Sequence, residues 1–99
     1  MDQLRISLQS PGELRLEGDL DLTTLDEAAD AFDVIKGTLK LDLSGLEFID
    51  SMGIALLAKR LSTSPLVLVH VSERLQWALA LMGMTIRANG ELAFEDGAA

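Results

Sequence analysis

Phe48-Ile49-Asp50-Ser51-Met52-Gly53 places a carboxylate, a hydroxyl and a glycine in close succession, immediately before the apolar run Ile54–Ala58. A small hydroxyl at the start of a helix can serve in two ways. It can cap the helix by accepting a hydrogen bond from a backbone N–H of the first turn, which contributes ~1 kcal/mol relative to alanine. It can also be a group on which chemistry is done, because a phosphate at a helix start meets free N–H groups and the positive end of the helix dipole. The two roles are compatible in one serine. Met52 adds a flexible apolar neighbour, and Gly53, lacking a side chain, is expected to let a partner approach the backbone closely.

Other constellations offer less. Asp19, Asp21, Asp42 and Asp50 fall near the ends of expected strands, where carboxylates can converge on a divalent cation. A phosphoaspartate receiver would use such a cluster but needs a late lysine, and the late basic residues here are Arg74 and Arg87. His70, the sole histidine, lies in an apolar stretch and reads as a satisfied core or strand-end residue. A triad of Ser51, His70 and an aspartate would lack the Gly-x-Ser-x-Gly turn, and there is no glycine-rich phosphate cradle. The sequence is therefore not expected to encode an enzyme, and it implies neither a metal nor a cofactor.

Composition narrows the field further. The 99 residues contain no cysteine, which removes disulfides, thiolate metal sites and cysteine nucleophiles. Sixteen acidic against eight basic residues give a net charge of −8. That balance opposes binding to a nucleic-acid backbone or an anionic membrane, both of which require clustered Lys and Arg. The apolar runs Ile54–Ala58 and Leu66–Val69 are far shorter than the ~20 residues that span a bilayer. The stretch MDQLRISLQ lacks a basic segment followed by an apolar one, so a cytoplasmic protein without membrane insertion is expected. A chain of this length buries roughly 60–65% of its unfolded surface and can fold as one domain, with a core of about residues 3–94.

The elements that must position Ser51 follow from periodicity. Residues 3–9 and 13–17 alternate apolar and polar on either side of Ser10-Pro11-Gly12, predicting a β-hairpin. Thr24 and Glu27 match a capping box, Leu25, Ala28, Ala29, Phe32 and Ile35 recur at helical spacing, and Gly37 supplies a stop. The other face of that helix carries Asp26, Asp30 and Asp33, a solvated face or an acidic docking face. A strand is predicted over 38–43, and a helix over 51–61 whose last-turn Lys59 and Arg60 complement its dipole. Leu66–Val71 reads as a strand covered on both faces. Ser72 should cap a helix from Glu73 to Met82, with Leu75, Ala78, Leu79 and Met82 inward. Residues 84–94 form one last strand or a hairpin at Asn89-Gly90, and 96–99 should fray. Strand–helix alternation predicts an α/β fold: a mixed, mostly parallel sheet of four or five strands with about three helices against it.

Three segments then resemble a family. Gly18-Asp19-Leu20-Asp21, Leu41-Asp42-Leu43-Ser44 and Phe48-Ile49-Asp50-Ser51-Met52-Gly53-Ile54-Ala55-Leu56-Leu57 are similar to the signature of STAS domains, the domains of anti-sigma factor antagonists and sulfate-transporter tails. The resemblance spans Leu14 to about Met84. For an antagonist it implies a non-enzymatic switch that binds an anti-sigma factor serine kinase when unmodified and is released once Ser51 is phosphorylated. Asp50 would orient Ser51, Asp21 and Ser44 would line the same rim, and Phe48, Ile49, Met52 and Gly53 would complete the partner surface. Gly53-Ile54-Ala55-Leu56-Leu57 also resembles the STAS subunits of ABC-type phospholipid transporters, which implies docking on a transporter ATPase subunit instead. Antagonists usually close with an amphipathic helix, for which Asn89–Ala99 is too short and polar.

Overall fold

Strand alternation gives each segment one apolar face, and in the computed structural model, which describes residues 3–95, those faces line up into one sheet. Strands β1 (Leu4–Ser10) and β2 (Glu13–Leu20) pair antiparallel, and β3 (Leu39–Ile49) and β4 (Leu66–Val69) continue parallel to β2 in the order β1-β2-β3-β4. Helices α1 (Leu25–Val34), α2 (Ser51–Leu61) and α3 (Glu73–Leu81) alternate with the parallel strands. Leu14, Leu16, Leu20, Leu39, Leu41, Leu43, Leu66 and Leu68 bury the inner face against Ala28, Phe32, Ile54, Leu57, Leu75 and Leu79 of the helices. The α/β class, the mixed sheet and the three helices are those expected from periodicity.

The outer face of the sheet is polar. Arg15 pairs with Glu17 at 3.7 Å and Lys40 with Glu13 at 3.9 Å, all on the positions that alternate with the core leucines. In β4, Val67 and Val69 are half-buried while Leu66 and Leu68 are buried, so this strand is fully covered on one face only, against expectation. It also ends two residues early. His70 takes a left-handed backbone conformation (φ 58°) that no strand continues through.

Residues 84–94 adopt the hairpin of the two alternatives. Strands β5 (Met84–Ile86) and β6 (Leu92–Phe94) pair with each other and form a separate two-stranded sheet. A single bridge between Val67 and Glu91, with the Leu68 N–H donating to Gly90 O at 2.9 Å, fastens this hairpin to the free edge of β4. Met84 and Leu92 sit in the main core. Residues 96–99, expected to fray, lie outside the described residues.

Several local expectations are corrected by tertiary pairing. Strand β3 runs to Ile49, six residues past its predicted end, because Gly45, Leu46, Phe48 and Ile49 stay in register with Glu17, Gly18, Asp19 and Leu20 of β2. Two irregularities in that ladder absorb one extra β3 residue each, the first before Gly45 and the second at Glu47. The Thr24 hydroxyl does not cap α1. It is turned back to accept from the Asp21 N–H (3.1 Å) and to donate to Asp19 O (3.0 Å), closing a short 3-10 turn over Leu22–Thr24 that Asp21 caps. Arg60, in the last turn of α2 as expected, also serves α1. It is 9% exposed, and its guanidinium donates to the carbonyls of Phe32 (2.6 Å), Ile35 (2.9 Å) and Gly37 (2.7 Å), satisfying the C-terminus of α1. Met82, expected inward, is 51% exposed because α3 has already ended at Leu81.

Candidate functional site

The parallel strands β2 and β3 end side by side, Leu20 opposite Ile49, so the turns that follow them meet at one edge of the sheet. Asp50 ties the two turns together. Its Oδ1 accepts from the Gly53 N–H (2.9 Å) and its Oδ2 from the Leu22 N–H (3.2 Å), while its own N–H donates to Leu20 O (3.3 Å). Asp50, and not Ser51, is therefore the N-cap of α2. Extended backbone at Asp50 (φ −104°, ψ −177°) aims its carboxylate back at the first turn.

Ser51 is the first residue of the helix proper, and it is exposed. Among the described residues its hydroxyl has no hydrogen-bond partner. Phe48 at 52% and Met52 at 42% exposure flank it with apolar surface. Asp21 lies next to Leu20 on the neighbouring turn. Its Oδ1 accepts from the Thr23 N–H (2.9 Å) and the Thr23 hydroxyl (2.6 Å), which fixes the carboxylate close to the β2 end. The structure thus gathers Asp21, Phe48, Asp50, Ser51 and Met52 at one edge.

Three of the other expected site residues are placed differently. Gly53 is buried, and a Cβ there would come 2.5 Å from Leu20 O and 2.7 Å from Ile49 Cγ1. It offers no surface to a partner; it lets α2 start tightly against the strand ends. Ile49 is half-buried and forms part of the floor beneath it. Ser44 lies five residues before the end of β3, roughly 16 Å along the strand at ~3.3 Å per residue, and does not share the rim.

Ser44 belongs to a second small cluster on the outer face. Its N–H donates to Asp42 Oδ1 (3.0 Å), and His70 Nδ1 lies 3.0 Å from the same oxygen. The Ser44 N–H foremost, and then His70, hold the Asp42 carboxyl below the usual carboxylate range, against the opposing effect of burial. Both partners use one carboxylate, so the serine and the histidine are joined through Asp42 rather than to each other. This is an orienting contact for the strained His70 and not a nucleophile–base pair. Among the described residues, no three of His, Asp and Glu are grouped to hold a metal, and no helix is long and apolar enough to cross a membrane.

Sequence reasoning missed two parts of the site. The bridging role of Asp50 needs the Leu22 turn beside it, a contact across 28 positions. The groove between the end of β3 and α3, with a volume of about 170 Å³, joins segments from 43–49 and 72–78. The one local signal for the first was the Asp-x-x-Gly spacing itself, which suits an Asp cap as well as a Ser cap.

A family model described as "Mlab, STAS domain" matches residues 5–92. Among solved structures, the anti-sigma factor antagonist SpoIIAA in its unphosphorylated form is similar with a TM-score of 0.60, at 14% identity over 79% of this chain and 82% of that one. A structure of the Bacillus cell fate determinant SpoIIAA in the phosphorylated form is similar with a TM-score of 0.60, at 15% identity over 81% of this chain and 83% of that one. At such identities the likeness is one of fold. No curated protein matches the chain.

Proposed function

The chain belongs to the STAS domain family, and on that premise we propose that it is a non-enzymatic, partner-switching protein. In this reading Asp21, Phe48, Asp50, Ser51 and Met52 bind an anti-sigma factor serine kinase while Ser51 is unmodified, and phosphorylation of Ser51 releases the partner. The observation that carries the reading is the division of labour between neighbours. Asp50 caps the helix, so the exposed Ser51 hydroxyl is left free of structural duty at the dipole-positive end of α2. SpoIIAA, similar in fold, is a protein with both unphosphorylated and phosphorylated forms.

The energetics need no refolding. A phosphate adds about −1.5 to −2 charges at one point, and the helix start stabilises it in place. Each unit of that charge, ~4 Å from a phosphate or carboxylate in the kinase site and at an effective dielectric of ~20, costs up to about 4 kcal/mol. Even with more than half of this lost to screening, the remainder corresponds to roughly a hundredfold in affinity.

Incubation with a cognate serine kinase and ATP is expected to add one phosphate, read by intact mass, and Ser51→Ala is expected to abolish it. Unchanged labelling of the alanine variant would sink the assignment. Ser51→Asp, which adds a single charge, is expected to weaken kinase binding about tenfold in a titration.

A second reading is favoured by the closing β5–β6 hairpin, which stands where antagonists have a helix, and by the family model, whose description names Mlab. Here the same edge docks on the ATPase subunit of an ABC-type phospholipid transporter. Co-purification with an ATP-binding cassette subunit distinguishes the two, and tolerance of Ser51→Asp in that complex would remove the switch from it.

A further inference from the structure

Beside the edge that carries Ser51, the last residues of β3 and the first turns of α3 stand apart and leave a groove of about 170 Å³. Leu46, Leu75 and Ala78 give it an apolar lining, Phe48 is half-exposed beside it, and Glu47 and Arg74 add charge. Its size decides what it can hold. Ligand and cofactor pockets run roughly 300–1,000 Å³, well above this volume. An apolar cavity of about 150 Å³ takes one benzene ring. The groove is matched to a single aromatic or branched side chain.

Charge around the groove selects the segment that bears this side chain. Helices α1 and α2 begin where β2 and β3 end, and α3 follows β4, whose last residue Val69 pairs with Asp42 farther back along β3, so that its first turns run beside residues 43–49. Asp19, Asp21, Asp26, Glu27, Glu47, Asp50 and Glu73 lie on the segments that form and adjoin this edge, against the basic residues Arg74 and, at the start of β1 opposite Glu17, Arg5. Lys36, Lys40, Lys59 and Arg60 lie at the opposite end of the parallel strands and helices. An apolar anchor flanked by lysine or arginine meets attraction here, and one flanked by carboxylates meets repulsion.

We propose that the groove between β3 and α3 is the anchor subsite of the docking surface and receives one aromatic or branched side chain from a basic segment of the protein partner. The inference rests on the docking surface proposed above and adds the partner's chemistry. It places opposite electrostatics on adjacent subsites. Basic groups of the partner face the acidic edge around the groove, while the nucleotide phosphates of a kinase face Ser51, where added phosphate is repelled.

The test uses the full chain and two synthetic probes, the peptides Lys-Lys-Trp-Lys-Lys and Glu-Glu-Trp-Glu-Glu with blocked ends, followed by amide NMR titration. The lysine peptide is expected to shift the amides of Leu46, Phe48, Leu75 and Ala78, and the glutamate peptide to leave them unchanged. Ala78→Leu, which fills the groove, is expected to weaken the lysine peptide about tenfold or more while far-UV circular dichroism and the melting temperature stay near those of the parent. Should Ala78→Leu melt early, Phe48→Ala at the half-exposed wall is expected to give the same loss in a folded chain. The proposal is overturned if neither peptide shifts those amides, if both bind alike, or if a folded groove variant binds as the parent does. It is also overturned if sedimentation shows a dimer that Ala78→Leu abolishes, since the occupant is then a second copy. Ser51 labelling by a kinase is read separately: if it persists while the peptides fail, the groove is refuted and the switch stands.

Discussion

At the scale of single residues, two neighbours divide the work at the start of α2, and the division is measurable. Asp50→Ala removes the acceptor of the Gly53 and Leu22 N–H groups and is expected to cost about 1–2 kcal/mol in urea unfolding. Ser51→Ala removes an exposed hydroxyl without a partner and is expected to stay within about 0.5 kcal/mol of the parent. Equal losses for the two would return the cap to Ser51. A second residue-scale prediction concerns pH. The folded-state pKa of Asp42 is depressed, so the folded chain holds fewer protons than the unfolded one between that pKa and the ordinary value of 3.8. Its stabilisation is therefore complete above pH ~4 and is lost as pH falls through the folded pKa. Asp42→Asn, which keeps an oxygen for the Ser44 N–H, is expected to flatten the acid limb of a stability-versus-pH curve. An unchanged limb would mean that other carboxylates set it.

Elements are positioned by three contacts that no helix or strand pattern contains. Gly53→Ala drives a methyl against the Leu20 carbonyl, a backbone atom that cannot swing aside. The expected cost is about 1–3 kcal/mol of overpacking, together with weaker partner binding, because Leu20 O also anchors the Asp50 N–H. Arg60→Met keeps the apolar stem but strands the carbonyls of Ile35 and Gly37 and leaves Phe32 O with the Ile35 N–H alone. It is expected to cost about 2–4 kcal/mol, and Arg60→Lys to recover only part of that, since an ammonium cannot present the planar fork. Chemical denaturation of both variants checks the order. In the same way, Gly18 (φ 98°) lets β2 pass under the Gln3 carbonyl, where any Cβ would clash with backbone. The turn that carries Asp21 follows directly from that passage.

Over the whole molecule, parallel strands with returning helices put the helix starts on the carboxyl side of the strands, and those of α1 and α2 meet at one edge. Acidic residues in the first turns of α1 and α3, and Lys59 and Arg60 in the last turn of α2, complement the helix dipoles locally. Asp19, Asp21, Glu47 and Asp50 make the docking edge acidic. Association with a basic partner is then expected to slow as salt rises from ~50 to ~500 mM, with dissociation changing less. Stopped-flow rates at a series of salt concentrations test this. A salt-independent association rate would show that the acidic edge does not face the partner.

The sequence by itself determined the hairpin, the strand–helix alternation and the sheet class, because each rests on the period of leucines along a short segment. It also marked Asp50, Ser51, Phe48 and Met52, since a carboxylate, a hydroxyl and exposed apolar residues next to a helix start are visible in a row of six. Only the tertiary structure decided which of Asp50 and Ser51 is the cap. Both have the right chemistry and spacing, and the choice depends on the Leu22 N–H arriving from β2 to hold the second carboxylate oxygen. It likewise decided that His70 meets the Asp42 carboxylate, that Gly53 is floor rather than surface, and that Arg60 is buried. Each of these is a contact between segments more than twenty positions apart or a register set by strand pairing, and periodicity along one segment carries no record of either.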